Sequence, residues 1–412
     1  FHPSWHWLME RAVGYGLAAA PWEQQAHGDP HAHVRRAAGF LAWSQTEPGH
    51  GCPISMTYAA VPALRADDAL AKEWTPLLAS LRYDPGVRPA SDKLGALVGM
   101  GMTEKQGGSD VRANTTRALA DGDGRWLITG HKWFCSAPMC DAFLTLAYAP
   151  GGLTCFILPR WLPDGTRNAG FRVMRLKDKM GDRSNASSEV EYHGALARRI
   201  GEEGRGVATI IRMVQHTRLD CVVGSALQMR GALAQAVWHA AHRTAFQKRL
   251  IDQPMMAAVL TDLAVESEAA TALSMRLVAT FDTDDAVGRL LTPVAKYWVC
   301  KRAPNLVYEA MEALGGAGYV ETGPMPRLFR QSPLNAIWEG SGNVIALDVL
   351  RAAGREPEAV EALRDWLASQ AGKSPDYDRF IAGLDVTASE AGARLAVERV
   401  ALAAQAAALL EM

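Results

Sequence analysis

The sequence predicts an α+β protein in which helices come first, strands follow, and helices return. Apolar residues recur at three- and four-residue spacing before residue 98 and again after residue 204, which is typical of helices. Between these regions, short apolar runs are separated by glycine or proline, which is typical of strands. Such segregation of the two element types is characteristic of the α+β class. We therefore predict an N-terminal helical domain (1–98), a central β domain (99–203), a C-terminal four-helix bundle (204–355) and an additional helical segment (356–412).

In the N-terminal region, the segments Glu10–Ala20 and Val34–Ser44 have the apolar spacing of helices. Pro48, Pro53 and Pro76 are expected to break this region into pieces, because proline removes a backbone donor and clashes inside a helix. The sequence therefore predicts several short helices before residue 98.

The central region predicts a compact β domain of about a hundred residues, within the usual size range of a domain. Its predicted strands are Arg125–Thr129, Phe143–Tyr148, Leu153–Leu158 and Ser187–Tyr192. A turn between two strands is expected at Asp121–Gly124, where the sequence is Asp-Gly-Asp-Gly.

The region after residue 204 predicts long helices joined by short breaks, the pattern of a four-helix bundle. The predicted helices are Arg218–Lys248, Gln253–Phe281 and Pro293–Leu314. The segment 356–412 is rich in alanine and leucine and is also predicted to be helical. It has ten acidic and five basic residues, a net charge of −5.

Composition sets limits on function. The 412-residue chain has a formal net charge of −1, so no global charge favours nucleic acid or an anionic membrane. No apolar run approaches the length of a membrane span. The cysteines are dispersed without a C-x-x-C pair, and we expect free, buried thiols in a cytoplasmic protein. The histidine pairs His2/His6 and His31/His33 lack acidic or cysteine partners at zinc spacing, so no metal site is predicted.

The segment 102–110, reading Met-Thr-Glu-Lys-Gln-Gly-Gly-Ser-Asp, follows a glycine-rich stretch that begins at Gly99, and the stretch and the segment are expected to form a loop. A dinucleotide-binding fingerprint is excluded here, because helices precede the segment and strands follow it. The hydroxyls of Thr103 and Ser109 can donate hydrogen bonds, while the glycines permit close approach of a flat ring such as a flavin. The alternative interpretation is an ordinary turn of the β domain.

Three further stretches each allow a functional and a structural interpretation. Gly130–Ser136, reading Gly-His-Lys-Trp-Phe-Cys-Ser and expected directly after a strand, is either a ring-facing segment or an aromatic core strand. Arg243–Gln247 has an arginine suited to bidentate phosphate binding, or simply a solvated one. Glu312–Tyr319 contains Gly315 and Gly316, which also fit an ordinary helix C-terminus.

The stretch Ile337–Asn343, reading Ile-Trp-Glu-Gly-Ser-Gly-Asn, places the carboxylate of Glu339 between an aromatic residue and a glycine. Ser341 to Asn343 are expected to begin a helix, whose N-terminal amides favour negative charge. Glu339 is therefore a candidate general base, and apolar neighbours would raise its pKa toward the working pH. The alternative is an acid that interacts with the helix dipole.

Together, in this order, these motifs resemble the acyl-CoA dehydrogenase superfamily, and most closely the branch that contains the alkylation-response protein AidB. The resemblance covers about residues 1–355. It is strongest in the blocks 99–117, 130–136 and 337–351, and the segment 176–188 looks distinctly like that branch.

The resemblance implies an acyl-CoA dehydrogenase fold with FAD at the junction of its domains. Glu339 would take the α proton of an acyl thioester while the flavin takes a hydride from the β carbon. Arg218 and Gly340 would lie beside the substrate. Some members place the base just before the equivalent of Arg218, but Thr217 stands there and cannot serve. The residues implied in FAD binding are Met102, Thr103, Gly108, Ser109, Phe134, Ser136, Arg243, Phe246, Gly315, Gly316, Ser341 and Asn343.

The resemblance further implies dehydrogenation of a short or branched acyl-CoA in a homo-oligomer, expected to be a tetramer, with an electron-transferring flavoprotein as acceptor. A flavin-containing, DNA-binding protein that protects against alkylation is the alternative, and oxidation of another substrate such as a nitroalkane is a third hypothesis. Basic residues cluster between Arg167 and Arg183, which is compatible with duplex DNA as a partner; the alternative is an exposed strand edge with solvated charges. The segment 356–412, in contrast, is acidic where the DNA-binding relative has a basic domain.

Overall fold

The computed structural model describes residues 1–385 and 388–412, and their contacts divide them into two compact units. Unit 1 comprises residues 1–32, 46–179 and 183–217. Unit 2 comprises residues 33–45, 180–182 and 218–412. Helices precede and follow a central sheet, so the predicted α+β class is confirmed.

The N-terminal helices are α1 (Pro3–Gly14), α2 (Ala20–Ala26), α3 (Ala32–Trp43), α4 (Gly51–Leu64) and α5 (Asp68–Ala79). The predicted helix Glu10–Ala20 is wrong over residues 15–19, because α1 ends at Gly14 and Gly16 takes a left-handed φ of +74°. Pro53 and Pro76, in contrast to the expectation, do not break a helix. Pro53 lies in the first turn of α4, where a missing N–H is tolerated, and Pro76 lies inside α5, close to its C-terminal end. Almost all of α4 is buried, and it packs against α5 and the first strand.

The strands of unit 1 are β1 (Val98–Gly101), β2 (Arg117–Ala120), β3 (Arg125–Ser136), β4 (Ala142–Ala149), β5 (Gly152–Pro159), β6 (Phe171–Leu176) and β7 (Ser187–Ile200). The sheet has the order β1-β3-β2-β4-β5-β7-β6, with additional pairings between β1 and β4 and between β3 and β7. The pairing of β3 with β7 is antiparallel and interrupted by two register shifts.

Two sequence expectations about this sheet need correction. The glycine-rich stretch from Gly99 was expected to be loop, but it lies in β1. A Cβ on Gly99 would come within 2.7 Å of the Phe143 ring, so the glycine allows two strands to pack closely. Gly130–Ser136 was expected after a strand, but it lies within β3, which is longer than predicted.

The long helices are α6 (Gly206–His242), α7 (Pro254–Thr283), α8 (Val287–Ala313) and α11 (Gly342–Arg355). Between them lie the hairpin strands β8 (Thr244–Ala245) and β9 (Lys248–Arg249) and the short helices α9 (Gly316–Tyr319) and α10 (Met325–Gln331). The predicted helix Arg218–Lys248 was wrong at both ends. It begins at Gly206, and it ends at His242 because Phe246 and Gln247 take left-handed φ values of +52° and +67° and turn the chain.

The segment after residue 355 forms α12 (Pro357–Ala368), α13 (Pro375–Ala382) and α14 (Ala393–Glu411), and its residues 386 and 387 lie outside the described residues. Helix α14 packs on α7, α8 and α11. The Trp298 indole N–H donates to Gln405 Oε1 (2.8 Å), and Arg276 pairs with Glu411 (3.3 Å). These helices are therefore an integral part of unit 2.

Cys52, Cys135, Cys140, Cys155, Cys221 and Cys300 are free and buried. In the described ranges 1–385 and 388–412, no helix combines the length and apolar character needed to cross a membrane. The same ranges contain no cluster of three or more histidine, cysteine or acidic side chains that could hold a metal ion.

Candidate active site

Two of the sequence motifs, about thirty residues apart, form one continuous part of unit 1. The Trp133 N–H donates to the Thr103 carbonyl (2.7 Å), and the Lys105 N–H donates to His131 Nε2 (3.0 Å). Just before the loop, Gly101 of β1 pairs with Cys135 of β3. The first half of the loop 102–110 is therefore joined to the strand that contains Phe134 and Ser136.

A buried ion pair anchors this loop, and sequence analysis did not assign it. Lys132 Nζ donates to Glu104 Oε1 (2.8 Å), and neither side chain is exposed. Glu104 also accepts hydrogen bonds from the backbone and hydroxyl groups of Thr115 and Thr116 and from the amide of Gln106. Burial by itself would raise the pKa of Glu104, but Lys132 and these donors together hold the pKa well below its usual range. Glu104 is therefore an ionised structural anchor of the loop.

The loop's glycines meet different constraints. A Cβ on Gly108 would lie 2.3 Å from Thr103 Oγ1 and 3.1 Å from both Cβ and Cγ2 of Thr103, so a side chain at residue 108 would force Thr103 to change its position. Gly107 takes a left-handed φ of +133°. Ser109 is exposed, and Met102 and Thr103 are half-buried. The loop thus presents hydroxyl and backbone groups on a rigid frame.

Phe134 is not a core residue. Its side chain is 45% exposed although the neighbouring Cys135 is fully buried, which excludes the interpretation of this stretch as an aromatic core strand. The Lys177 ammonium lies 4.6 Å from the Phe134 ring centroid and 3.3 Å from that of Trp133. Ser136 Oγ lies 3.3 Å from Ser187 Oγ. An accessible aromatic face and a hydroxyl therefore stand side by side on β3.

In unit 2, Glu339 occupies an unusual backbone conformation. Its φ is +58°, in the left-handed region that side chains with a Cβ avoid, and Gly340 follows with a φ of +108°. The φ of Gly340 favours glycine, and a Cβ there would in addition displace Ile345 Cδ1, which would lie 2.8 Å away. Such local strain persists only where the surroundings hold it, and it is concentrated at functional sites.

The substrate arginine expected from the sequence lies against this loop. Arg218 on α6 is buried, its Nε donates to the Glu339 carbonyl (3.1 Å), and its Nη1 pairs with Asp348 Oδ2 on α11 (2.7 Å). Lys296 on α8 was not identified from the sequence. Its ammonium donates to the carbonyls of Trp338 (2.9 Å) and Gly340 (2.6 Å).

The residues flanking Glu339 differ in their surroundings. The Trp338 indole N–H donates to Asn335 Oδ1 (2.8 Å), whose amide donates to Ser225 Oγ (3.2 Å). Ile337, in contrast, is 63% exposed, so it does not bury the carboxylate within unit 2. Helix α11 begins at Gly342 directly after Ser341, as expected.

The remaining candidates lie in other parts of unit 2. Arg243 is exposed at the end of α6, and Phe246 at the tip of the following hairpin is 93% exposed. Gly315 ends α8 with a left-handed φ of +59°, and Gly316 has open space around it. Ser341 and Asn343 are exposed at the start of α11. Ser341 makes no side-chain cap bond, so the first amides of α11 are free to bind an anion.

Comparison with protein families accounts for most of the chain. Residues 1–85 match the adaptive response protein AidB N-terminal domain, residues 99–195 the acyl-CoA dehydrogenase middle domain, and residues 204–354 the acyl-CoA dehydrogenase C-terminal domain.

Individual relatives agree with these matches. The chain is 46% identical to the putative acyl-CoA dehydrogenase AidB of Escherichia coli over 92% of its own length and 71% of that protein. It is 32% identical to acyl-CoA dehydrogenase family member 11 of Caenorhabditis elegans, over 85% of the chain and 60% of the relative. The crystal structure of C. elegans ACDH-11 in complex with C11-CoA superposes with a TM-score of 0.91 at 27% identity, covering all of this chain and 76% of that one.

Proposed function

Because the chain belongs to the acyl-CoA dehydrogenase family, in the branch of the adaptive response protein AidB, we propose that it dehydrogenates a short or branched acyl-CoA thioester between its α and β carbons. The single observation that carries this proposal is the loop of Glu339. Glu339 has a strained, left-handed backbone conformation. The carbonyls of residues 338–340 accept hydrogen bonds from two buried cations, Arg218 and Lys296. An ordinary helix-start acid needs no such support.

Members of this family are FAD-dependent flavoproteins, and the residues present fit that cofactor. In unit 1, the exposed Phe134 face and the Ser136 hydroxyl suit contact with a flat, polar-edged ring. In unit 2, the uncapped amides at the start of α11 suit phosphate oxygens. FAD supplies the hydride acceptor when it is bound. The residues we propose to hold it are Met102, Thr103, Gly108, Ser109, Phe134, Ser136, Arg243, Phe246, Gly315, Gly316, Ser341 and Asn343.

Glu339 has the role of general base in this proposal. The α proton of a thioester is weakly acidic, so its removal requires a carboxylate held at a fixed position and donors that stabilise the developing oxyanion. Arg218 fixes the Glu339 carbonyl, and Gly340, with a φ of +108°, allows the backbone turn that follows the base. We propose that Arg218 and Gly340 lie beside the substrate. An electron-transferring flavoprotein is the acceptor we propose for the reduced enzyme.

We also propose that the protein is a homotetramer. Apolar side chains are exposed around the end of α6, the hairpin and the start of α7: Trp238 (63%), Phe246 (93%) and Met255 (85%). Exposed large apolar residues concentrated in one part of a fold are typical of a protein–protein interface. The exposed Arg243 lies beside the hairpin, where it would serve the FAD of a neighbouring copy.

Protection of duplex DNA is the alternative function, and its structural support is weaker. Arg172 and Arg175 are exposed on the edge strand β6. However, Glu189 lies 2.7 Å from both Arg175 and Lys177, which reduces the positive charge available for phosphates.

An anaerobic titration of the purified yellow protein with acyl-CoA thioesters of graded length and branching tests the proposal. We expect one thioester to bleach the flavin absorbance rapidly, and Glu339→Gln to abolish the bleaching while FAD stays bound. Glu309→Gln, which neutralises an exposed carboxylate on α8, is the matched control and should behave as wild type. No bleaching by any thioester, combined with salt-dependent binding to duplex DNA, would reject dehydrogenation in favour of the alternative.

A further inference from the structure

The Lys296 ammonium is a buried cation whose acceptors are backbone carbonyls. Lys296 lies in the middle of α8, and only 1% of the residue is exposed. Within residues 1–385 and 388–412 it forms no ion pair, and its hydrogen bonds go to the carbonyls of Trp338 and Gly340. Burying an ammonium without a carboxylate partner is costly, so this position calls for an explanation beyond packing.

Lys296 binds the carbonyls of Trp338 and Gly340, and Arg218 binds the carbonyl of Glu339, which lies between them in sequence. The backbone oxygens of Trp338, Glu339 and Gly340 therefore each receive an N–H from a cation, at 2.9, 3.1 and 2.6 Å respectively. The cations come from two different helices, α8 and α6. Arg218 pairs with Asp348, whereas Lys296 pairs with no carboxylate among the described residues.

These contacts coincide with the strained backbone. Glu339 has a φ of +58°, and without support its backbone would relax toward negative φ. That relaxation would rotate the Cα–Cβ bond and displace the carboxylate. Relaxation would also turn the flanking carbonyls, which are the atoms that Lys296 binds.

We propose that Lys296 is a positioning residue that acts on residues 338–340, which we call the base loop. It holds this loop in the left-handed conformation from which the Glu339 carboxylate reaches the substrate. The inference rests on the proposed role of Glu339 as base. It assigns to Lys296 no contact with substrate or cofactor. If the proposal is correct, loss of the ammonium slows proton removal more than it weakens thioester binding, because the loop of Glu339 moves while the rest of the site stays in place.

The test compares Lys296→Met with Arg302→Met in the FAD-loaded protein. Arg302 is on the same helix and forms an ion pair with Glu266 (2.6 Å), so its loss also removes a cation from α8 but leaves the base loop untouched. Three quantities are measured on each variant: the rate of flavin bleaching at saturating thioester, the thioester dissociation constant, and the hydrogen–deuterium exchange of the backbone amides in residues 334–345.

We expect Lys296→Met to slow bleaching by about 100-fold, the loss typical of a reacting group displaced by about 1 Å, with a nearly unchanged dissociation constant. Amide exchange in 334–345 should become faster in this variant and stay at the wild-type rate in Arg302→Met. Bleaching at the wild-type rate would overturn the proposal, as would unchanged exchange in Lys296→Met or equal effects in both variants. If Lys296→Met does not fold, Lys296→Gln replaces it. Its amide keeps N–H donors but no charge, so we expect a smaller slowing of bleaching together with faster exchange in 334–345, and wild-type values of both would overturn the proposal.

Failure of the proposed function is distinguishable from failure of this inference. If no thioester bleaches the wild-type protein, dehydrogenation is rejected. The exchange comparison still decides whether Lys296 holds the loop.

Discussion

Replacing Lys132 with methionine is expected to destabilise the β domain by about 3 kcal/mol at neutral pH. The change keeps the approximate volume of the side chain but leaves the fully buried Glu104 carboxylate without its cation. Breaking a buried ion pair by removing one partner typically costs about 3–5 kcal/mol. The lower end applies because Thr115, Thr116 and Gln106 still donate hydrogen bonds to Glu104 in the variant.

The pH dependence of this effect has a definite sign. In the wild type, the pKa of Glu104 is depressed by Lys132 and the surrounding donors, so its stabilising contribution is present above the unfolded value of 4.5 and is lost as the pH falls below it. In Lys132→Met, desolvation is no longer opposed by the ammonium, so the pKa of Glu104 rises and the carboxyl takes up a proton at higher pH. The difference in stability between the two proteins should therefore be smaller at pH 5 than at pH 8.

Urea unfolding at both pH values, followed by tryptophan fluorescence, measures this difference, and the absorbance of retained FAD measures its functional consequence. Lys93→Met is the matched control, because Lys93 forms a buried ion pair with Asp141 (2.7 Å) away from the loop 102–110. Both variants should lose stability, but only Lys132→Met should release FAD more readily. A loss below about 1 kcal/mol, the range of exposed pairs, or a loss that does not shrink at pH 5, would refute this account of Glu104.

Three further perturbations follow from local geometry. Glu339→Gly should raise the free energy of unfolding by about 0.5–1 kcal/mol, because glycine adopts the left-handed backbone without strain, and urea unfolding measures this effect. The same variant should abolish flavin bleaching in the thioester titration. Gly108→Ala should cost about 1–3 kcal/mol through the clash with Thr103 and weaken FAD binding, measured by cofactor titration. Phe246→Ser should shift the protein to a smaller oligomer, measured by light scattering after size-exclusion chromatography.

Each of these has an outcome that contradicts it. A Glu339→Gly protein that is less stable than wild type would show that the backbone at this position is not strained. Wild-type FAD affinity in Gly108→Ala would mean that the loop can shift without consequence for the cofactor. Phe246→Ser with an unchanged mass would exclude the hairpin tip from the subunit interface.

The sequence predicted the α+β order and four of the strands, because apolar spacing is a local property that survives folding. It did not predict the ends of α6, since the turn at Phe246 and Gln247 uses left-handed residues without the glycine that usually signals it. It also treated Gly99–Gly101 as loop. Gly99 fits a strand because the Phe143 ring lies opposite it, and this contact between residues distant in sequence is visible only in the folded structure.

In the candidate site, too, residues in short sequence motifs were predicted, whereas a residue that reaches the site from a distant part of the sequence was not. Glu339, Arg218 and the loop 102–110 were identified because they belong to short motifs. Lys296 lies 43 residues before Glu339 in an apolar helix, and nothing adjacent in sequence indicates that its ammonium meets two loop carbonyls. The only signal was a lysine in a run otherwise suited to the core.

Helix α14 has a consequence for how the protein is made. It packs on α7, α8 and α11, and it buries Val397, Ala401, Ala404 and Ala408. During translation those three helices leave the ribosome before α14 does, so the apolar surfaces that it covers are exposed in the nascent chain. The helices that carry Lys296 and Asp348 thus reach their final packing only after residue 411 has emerged. A ribosome that stalls before α14 would release a chain that exposes apolar surface and is a target for chaperones and proteases.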